Sequence, residues 1–144
     1  MSTEPTEAVD DEARRSIERL STEYCWLIDH GYADRVAELF TDDAVLSVGG
    51  SEVSGIVDIR RHLDERAKNR EIRSRHVVTN IRLVNESAGR VRGTTIMTIY
   101  RSIGESGKPQ LIIGDVDDLY RLDADGRWRL AERKLAPTFL IDEL

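Results

Sequence analysis

The run "SRHVVTNIRLV" places a histidine, His76, among β-branched residues. Val, Ile and Thr suit a strand, but an imidazole there must find a hydrogen-bond partner or reach water. A neutral imidazole beside a cavity can take up a proton near physiological pH, which makes His76 a candidate general base. The plainer alternative is a structural or partly exposed strand histidine. Parity bears on the choice. Val77, Ile81 and Leu83 form the more apolar side, whereas His76 shares its side with Val78, Asn80 and Arg82. For His76 to face a core, either a bulge must turn it inward or the mixed face must line a wet cavity.

Asp29, just before "HGY", sits where a first helix is expected to end. A negative charge there opposes the helix macrodipole, so its position gains nothing from helix electrostatics. It is either a solvated carboxylate or one held by another part of the chain. Tyr24 lies five residues earlier, and ideal helical geometry separates the two by about 140°, so both face one hollow only if the last turn loosens. The ordinary role for Tyr24 is core packing, its hydroxyl finding a nearby acceptor. Arg133, in "WRLAERKLAP", shares parity with Ala131 and Leu135 but not with Trp128 and Leu130, which predicts a bulge in that strand. Taken alone, Arg133 reads best as a surface residue; an inward one needs an anion or a leaving group. Asp115, Asp117 and Asp118 in "GDVDDLY" read as a solubility device on an edge strand.

Several chemistries lack their signatures. The chain has no G-x-S-x-G elbow, no P-loop and no Rossmann glycine fingerprint. His30, His62 and His76 lack metal-ligand spacing, and Cys25 reads as a small buried hydrophobe. No metal and no cofactor is expected. A formal charge of -6 without a Lys/Arg run argues against nucleic acid as a partner. A single cysteine and the lack of a signal-like or membrane-length apolar run predict a cytoplasmic protein with no membrane partner.

The elements that must position these residues follow from pattern. The 144 residues, 40% hydrophobic and 33% charged, fit one domain. Residues 1–9 are expected to be a disordered tail and 10–144 the domain. Ile17, Leu20, Tyr24, Leu27 and Ile28 recur at three and four residues and predict a helix from about Asp10 that stops near Gly31. A second short helix fits "YADRVAELF", and "TDDAVLSVGG" reads as a turn into a brief strand. A further helix fits "GIVDIRRHLDERAKN". Strand-like runs follow at about 73–84, 90–103, 110–122 and 127–138, joined by "NESAG", "GESGKP" and "DADG". Such short joints favour antiparallel hairpins. Helices followed by a meander predict an α+β fold, and a strongly curled sheet leaves a hollow beneath the helices.

The succession "YCWLIDHGYADRVAELFTDDAVL", "GIVDIRRHL", "RHVVTNIRL" and "GDVDDLYRLDADGRWRLAERKL" resembles the SnoaL-like branch of the nuclear transport factor 2-like superfamily over nearly the whole chain after residue 10. The resemblance implies a cone-shaped curved sheet around a pocket closed by helices. Its nearest functional likenesses are cofactor-free eliminating enzymes of the scytalone dehydratase, bile-acid 7α-dehydratase and hexachlorocyclohexane dehydrochlorinase kinds. Their shared Asp–His dyad falls on Asp29 and His76, the bile-acid enzyme's tyrosine, five residues before the aspartate, on Tyr24, and the arginine five residues after the tryptophan of the last strand on Arg133. The additional aspartate of the bile-acid enzyme has no counterpart in "RGTTIMTIY", and the second catalytic histidine of scytalone dehydratase is absent.

The implied activity is a dehydratase-type lyase acting on a hydrophobic hydroxylated or polycyclic small molecule. The alternatives are an isomerase or polyketide cyclase with Asp29 as base, and a non-catalytic binding or scaffold domain. A homodimer or homotrimer is expected, because the strands carry apolar residues on both parities, as at Val77 and Val78 or Ile112 and Ile113.

Overall fold

The computed structural model describes residues 8–105 and 107–142. Most of the expected tail therefore lies outside the described residues, but Val9 already packs against the core. Helix α1 spans Asp11–Asp29. Asp10 caps it, accepting a 2.8 Å hydrogen bond from the Ala13 N–H, and Asp11 and Glu12 put negative charge on the first turn, where the macrodipole favours it. The apolar stripe of Ile17, Leu20, Tyr24, Leu27 and Ile28 is buried as its spacing predicts. Gly31, at φ 86°, then takes the left-handed turn that ends the helical path. The "YADRVAELF" segment forms a tighter 3₁₀ helix over Ala33–Leu39 rather than an α-helix. Its buried Ala33, Val36 and Ala37 repeat at three and four residues over barely two turns, too short for a regular α-helix to propagate.

Strand β1 (Phe40–Val48) follows with no intervening turn and is longer than the brief strand expected; it pairs with β2 (Ser51–Ser54), which the sequence reading missed. Helix α2 (Ile56–Lys68) buries Ile59 and Leu63. Strands β3 (Ile72–Ser87), β4 (Arg90–Ile103), β5 (Gln110–Leu122) and β6 (Trp128–Ile141) complete an α+β fold, a six-stranded curved sheet in the order β2-β1-β6-β5-β4-β3. The meander is antiparallel as expected, while β1 joins β6 in parallel.

Two consequences correct the sequence reading. Strand β5 lies in the interior of the sheet, so "GDVDDLY" is not on an edge. Its Asp118 is 1% exposed and Arg133 on β6 is 2% exposed, so neither is a surface residue.

Bulges set which residues face inward. On β3, Val78 pairs with Met97 but Ile81 with Thr95, so an extra residue is absorbed between them. Ser74, His76 and Val78 therefore share the inner face with Ile81 and Leu83, which resolves the parity conflict by the bulge anticipated for His76. On β6, Leu119 pairs with Glu132 but Tyr120 with Leu130. The extra residue is Ala131, and it brings Leu130 and Arg133 to the same side. At Gly93 the absent side chain matters: a Cβ there would lie 2.8 Å from the Tyr120 ring, which crosses that position.

Candidate active site

The concave face of the sheet and the two helices enclose a cavity of about 460 Å3, within the usual range for small-molecule sites. Its walls are mainly apolar, with Ile28, Leu63, Met97, Ile99, Ile112 and Val116 among them. Tyr24, His76 and Arg133 all line it. A shallower groove along the seam between α1 and β3 also reaches His76 and exposes polar Glu18, Thr22 and Asn80. The cavity is the more enclosed and apolar of the two, so it offers the better shelter for the apolar rings of an organic molecule.

His76 lies opposite Ile99 on β4, and the end of α1 abuts it. The Asp29 carboxylate accepts three hydrogen bonds. One oxygen takes the His76 Nδ1–H at 2.6 Å and the Ser74 hydroxyl at 2.7 Å; the other takes the His76 backbone N–H at 2.6 Å. These bonds hold a charge that α1 itself disfavours at its C-terminal end. Arg75 also caps this end, donating a 3.0 Å hydrogen bond to the Asp29 carbonyl. The last turn does not loosen: the His30 N–H still bonds the Trp26 carbonyl at 3.1 Å. Tyr24 reaches the cavity while Asp29 stands behind His76, so the roughly 140° separation is kept.

Burial raises the Asp29 pKa, but the hydrogen bonds from the His76 ring and backbone, its charge, and the Ser74 hydroxyl outweigh it and hold the group below its ordinary value. An ionised carboxylate only accepts, so Nδ1 carries a proton, and in the neutral imidazole Nε2 is the nitrogen with the lone pair. The pair is largely dry, with side-chain exposures of 12% for His76 and 5% for Asp29.

Arg133 has the anion that an inward arginine needs. Its Nε and Nη2 donate to the two Asp118 oxygens at 2.9 and 2.8 Å, directly across the β5–β6 ladder. The Tyr120 hydroxyl donates to the same carboxylate at 2.7 Å. The guanidinium lies 4.1 Å from the Tyr24 ring centroid, a cation–π contact, and its Nη1 is buried with no partner. Burial works against the Arg133 charge, but Asp118 more than compensates and holds its pKa well above the usual value. Tyr24 is raised chiefly by burial, so its phenol stays protonated as a donor. Burial also pushes the Cys25 thiol up to about 11, in keeping with a packing role.

The structure thus gathers three of the sequence candidates, Tyr24, His76 and Arg133, around one cavity and sets Asp29 behind His76. Sequence reasoning missed Ser74 and misassigned Asp118. Ser74 was detectable, being two residues before His76 and so on its face of a strand. The spacing of Ile59, Leu63 and Arg66 likewise marks Arg66 as facing inward from α2.

A family model described as a SnoaL-like domain matches residues 10–134. Among solved structures, a type 2 hexachlorocyclohexane dehydrochlorinase (LinA) superposes with a TM-score of 0.82 at 20% identity, covering 92% of this chain and 90% of that one. A Novosphingobium aromaticivorans protein provisionally named a scytalone dehydratase gives 0.80 at 20% identity, covering 91% and 87%. A Mycobacterium tuberculosis protein of unknown function gives 0.76 at 25% identity, covering 89% and 77%. No curated protein matches the chain.

Proposed function

The chain belongs to the SnoaL-like domain family, and from that membership and the Asp29–His76 geometry we propose that it is a cofactor-independent lyase. It removes water, in a dehydratase-like elimination, from a hydrophobic hydroxylated or polycyclic molecule held in the cavity. The observation that carries the reading is the 2.6 Å hydrogen bond from His76 Nδ1 to Asp29, made by a histidine on the cavity wall. The similarity to a dehydrochlorinase and to a protein provisionally named a dehydratase supports elimination as the reaction class.

His76 Nε2 takes a proton from an acidic C–H of the substrate. Asp29 keeps the proton on Nδ1 and stabilises the imidazolium that forms, without itself becoming protonated. The electrons of the broken C–H bond form the new double bond as the C–O bond breaks. The departing hydroxyl receives a proton from the imidazolium and leaves as water, which returns His76 to its neutral state. Tyr24 donates a hydrogen bond to a substrate carbonyl or to the departing oxygen. The unpartnered Nη1 of Arg133 stabilises the negative charge that develops there. Asp29 as the base is the less supported arrangement, because its carboxylate already accepts three hydrogen bonds and stands behind His76.

The test is product analysis over a panel of hydroxylated steroid and polyketide-type ring compounds. Elimination yields a product lighter by one water with a new double bond. A product of unchanged mass, formed by isomerisation or cyclisation, contradicts the proposal.

A further inference from the structure

The cavity carries positive charge that the dyad and Arg133 do not account for. Arg66 on α2 and Arg101 on β4 both line it, and no Asp or Glu does. The two carboxylates nearest the chemistry are already engaged, Asp29 by His76 and Ser74 and Asp118 by Arg133. Arg66 makes one long hydrogen bond, 3.4 Å to the Ser74 hydroxyl, and Arg101 bonds the neutral Gln110 side chain at 3.1 Å. The Arg101 Nε is buried with no partner. Burial lowers the Arg66 pKa, Asp29 partly offsets this, and the charge of Arg101 lowers it further. Two partly buried guanidiniums therefore line one cavity, and among the described residues neither is hydrogen-bonded to a carboxylate, in a protein of formal charge -6. Such an arrangement is unfavourable until an anion arrives.

The geometry points to a substrate that is an apolar ring compound bearing an oxyanion group, a carboxylate or its like, gripped by Arg66 and Arg101 while His76 addresses a carbon further along the same molecule. This deepens the lyase reading and rests on it for the word substrate. The register sets the spacing. Arg101 pairs with Ser74 and Ile99 with His76, so the anion site lies two strand residues from the base, roughly 7 Å. Guanidiniums match the planar two-oxygen face of a carboxylate, which an ammonium would not.

Fluorescence titration with two dyes that share the same rings tests this. One, 8-anilinonaphthalene-1-sulfonate, carries an oxyanion; the other, N-phenyl-1-naphthylamine, does not. Arg66→Met and Arg101→Met are each expected to weaken the sulfonate dye at least tenfold while changing the neutral dye by less than twofold. Arg101→Lys, which keeps the charge but loses the fork, should fall between. A second measurement needs no variant: 2-naphthoate should displace the sulfonate dye from the wild-type protein at least tenfold more effectively than 2-naphthamide. Equal displacement by acid and amide, or parallel changes for both dyes in folded variants, overturns the inference. Because the readout is binding, it is decided independently of turnover, so a failure here and a failure of the lyase reading are told apart.

Discussion

The buried Arg133–Asp118 pair allows a stability prediction worked from its geometry. Both side chains are almost completely buried, at 2% and 1% exposure, and two hydrogen bonds of 2.9 and 2.8 Å join them. Asp118→Asn keeps the shape but removes the charge. It leaves the Arg133 cation without a counter-charge and turns an amide donor toward either Arg133 or the Tyr120 hydroxyl. Removing one partner of such a pair costs about 3–5 kcal/mol, a large part of the ~5–15 kcal/mol that holds a domain together. At roughly 3 °C per kcal/mol for a chain of this size, the melting temperature should fall by about 9–15 °C. Arg133→Met should cost a similar amount, because it strands the Asp118 carboxylate with only Tyr120. The double variant Asp118→Leu/Arg133→Met buries no charge and should be far less destabilised than the sum of its parts, with a coupling of roughly 3 kcal/mol or more. Urea unfolding of the four proteins measures this. Single-variant losses below about 1 kcal/mol, or additive losses across the cycle, would show that Arg133 and Asp118 are not a coupled buried pair.

Two other expectations concern acid and assembly. Since the folded Asp29 pKa is depressed, its stabilising contribution is complete above the unfolded value of about 4 and fades as pH falls through the lower folded value; Asp29→Asn should flatten urea midpoints over that acid range. An unchanged acid slope would count against the three hydrogen bonds at that carboxylate. The outer face of the sheet exposes Val77, Ile96 and Tyr100, and Phe139 is 61% exposed, so a homodimer or homotrimer should be seen by light scattering at micromolar concentration. Ile96→Glu should weaken it, and a wild-type protein that stays monomeric would contradict the expectation.

What the sequence could and could not convey turns on period and pairing. The stripe from Ile17 to Ile28 and the strand runs bounded by turn residues are local signals, and they mark α1, α2 and the meander within a few residues. Strand order is not local. Nothing in "FTDDAVLSV" announces that it pairs in parallel with β6, and that pairing takes β6 off the edge of the sheet; β5 is already interior, because β4 and β6 flank it. The bulges at Val78/Ile81 and at Ala131 were visible as conflicts of parity, because a period-two pattern that breaks must be absorbed somewhere. The partner of His76 was not visible from the residues alone. Asp29 lies 47 positions away, and only the docking of α1 against β3 brings them together. Arg133 read as a surface residue for the same reason, since its counter-charge comes from a neighbouring strand.

In the proposed reaction Asp29 and His76 act as one unit on a substrate proton. The most direct measurement is kcat/KM of the wild-type protein, His76→Ala, Asp29→Asn and the double variant, on the compound the panel shows to be turned over. Loss of a general base should lower the rate about 10²–10⁴-fold, and the double variant should be little worse than His76→Ala alone, because an orienting carboxylate has nothing left to orient. Independent, multiplicative losses, or a folded His76→Ala protein with full activity, would contradict it.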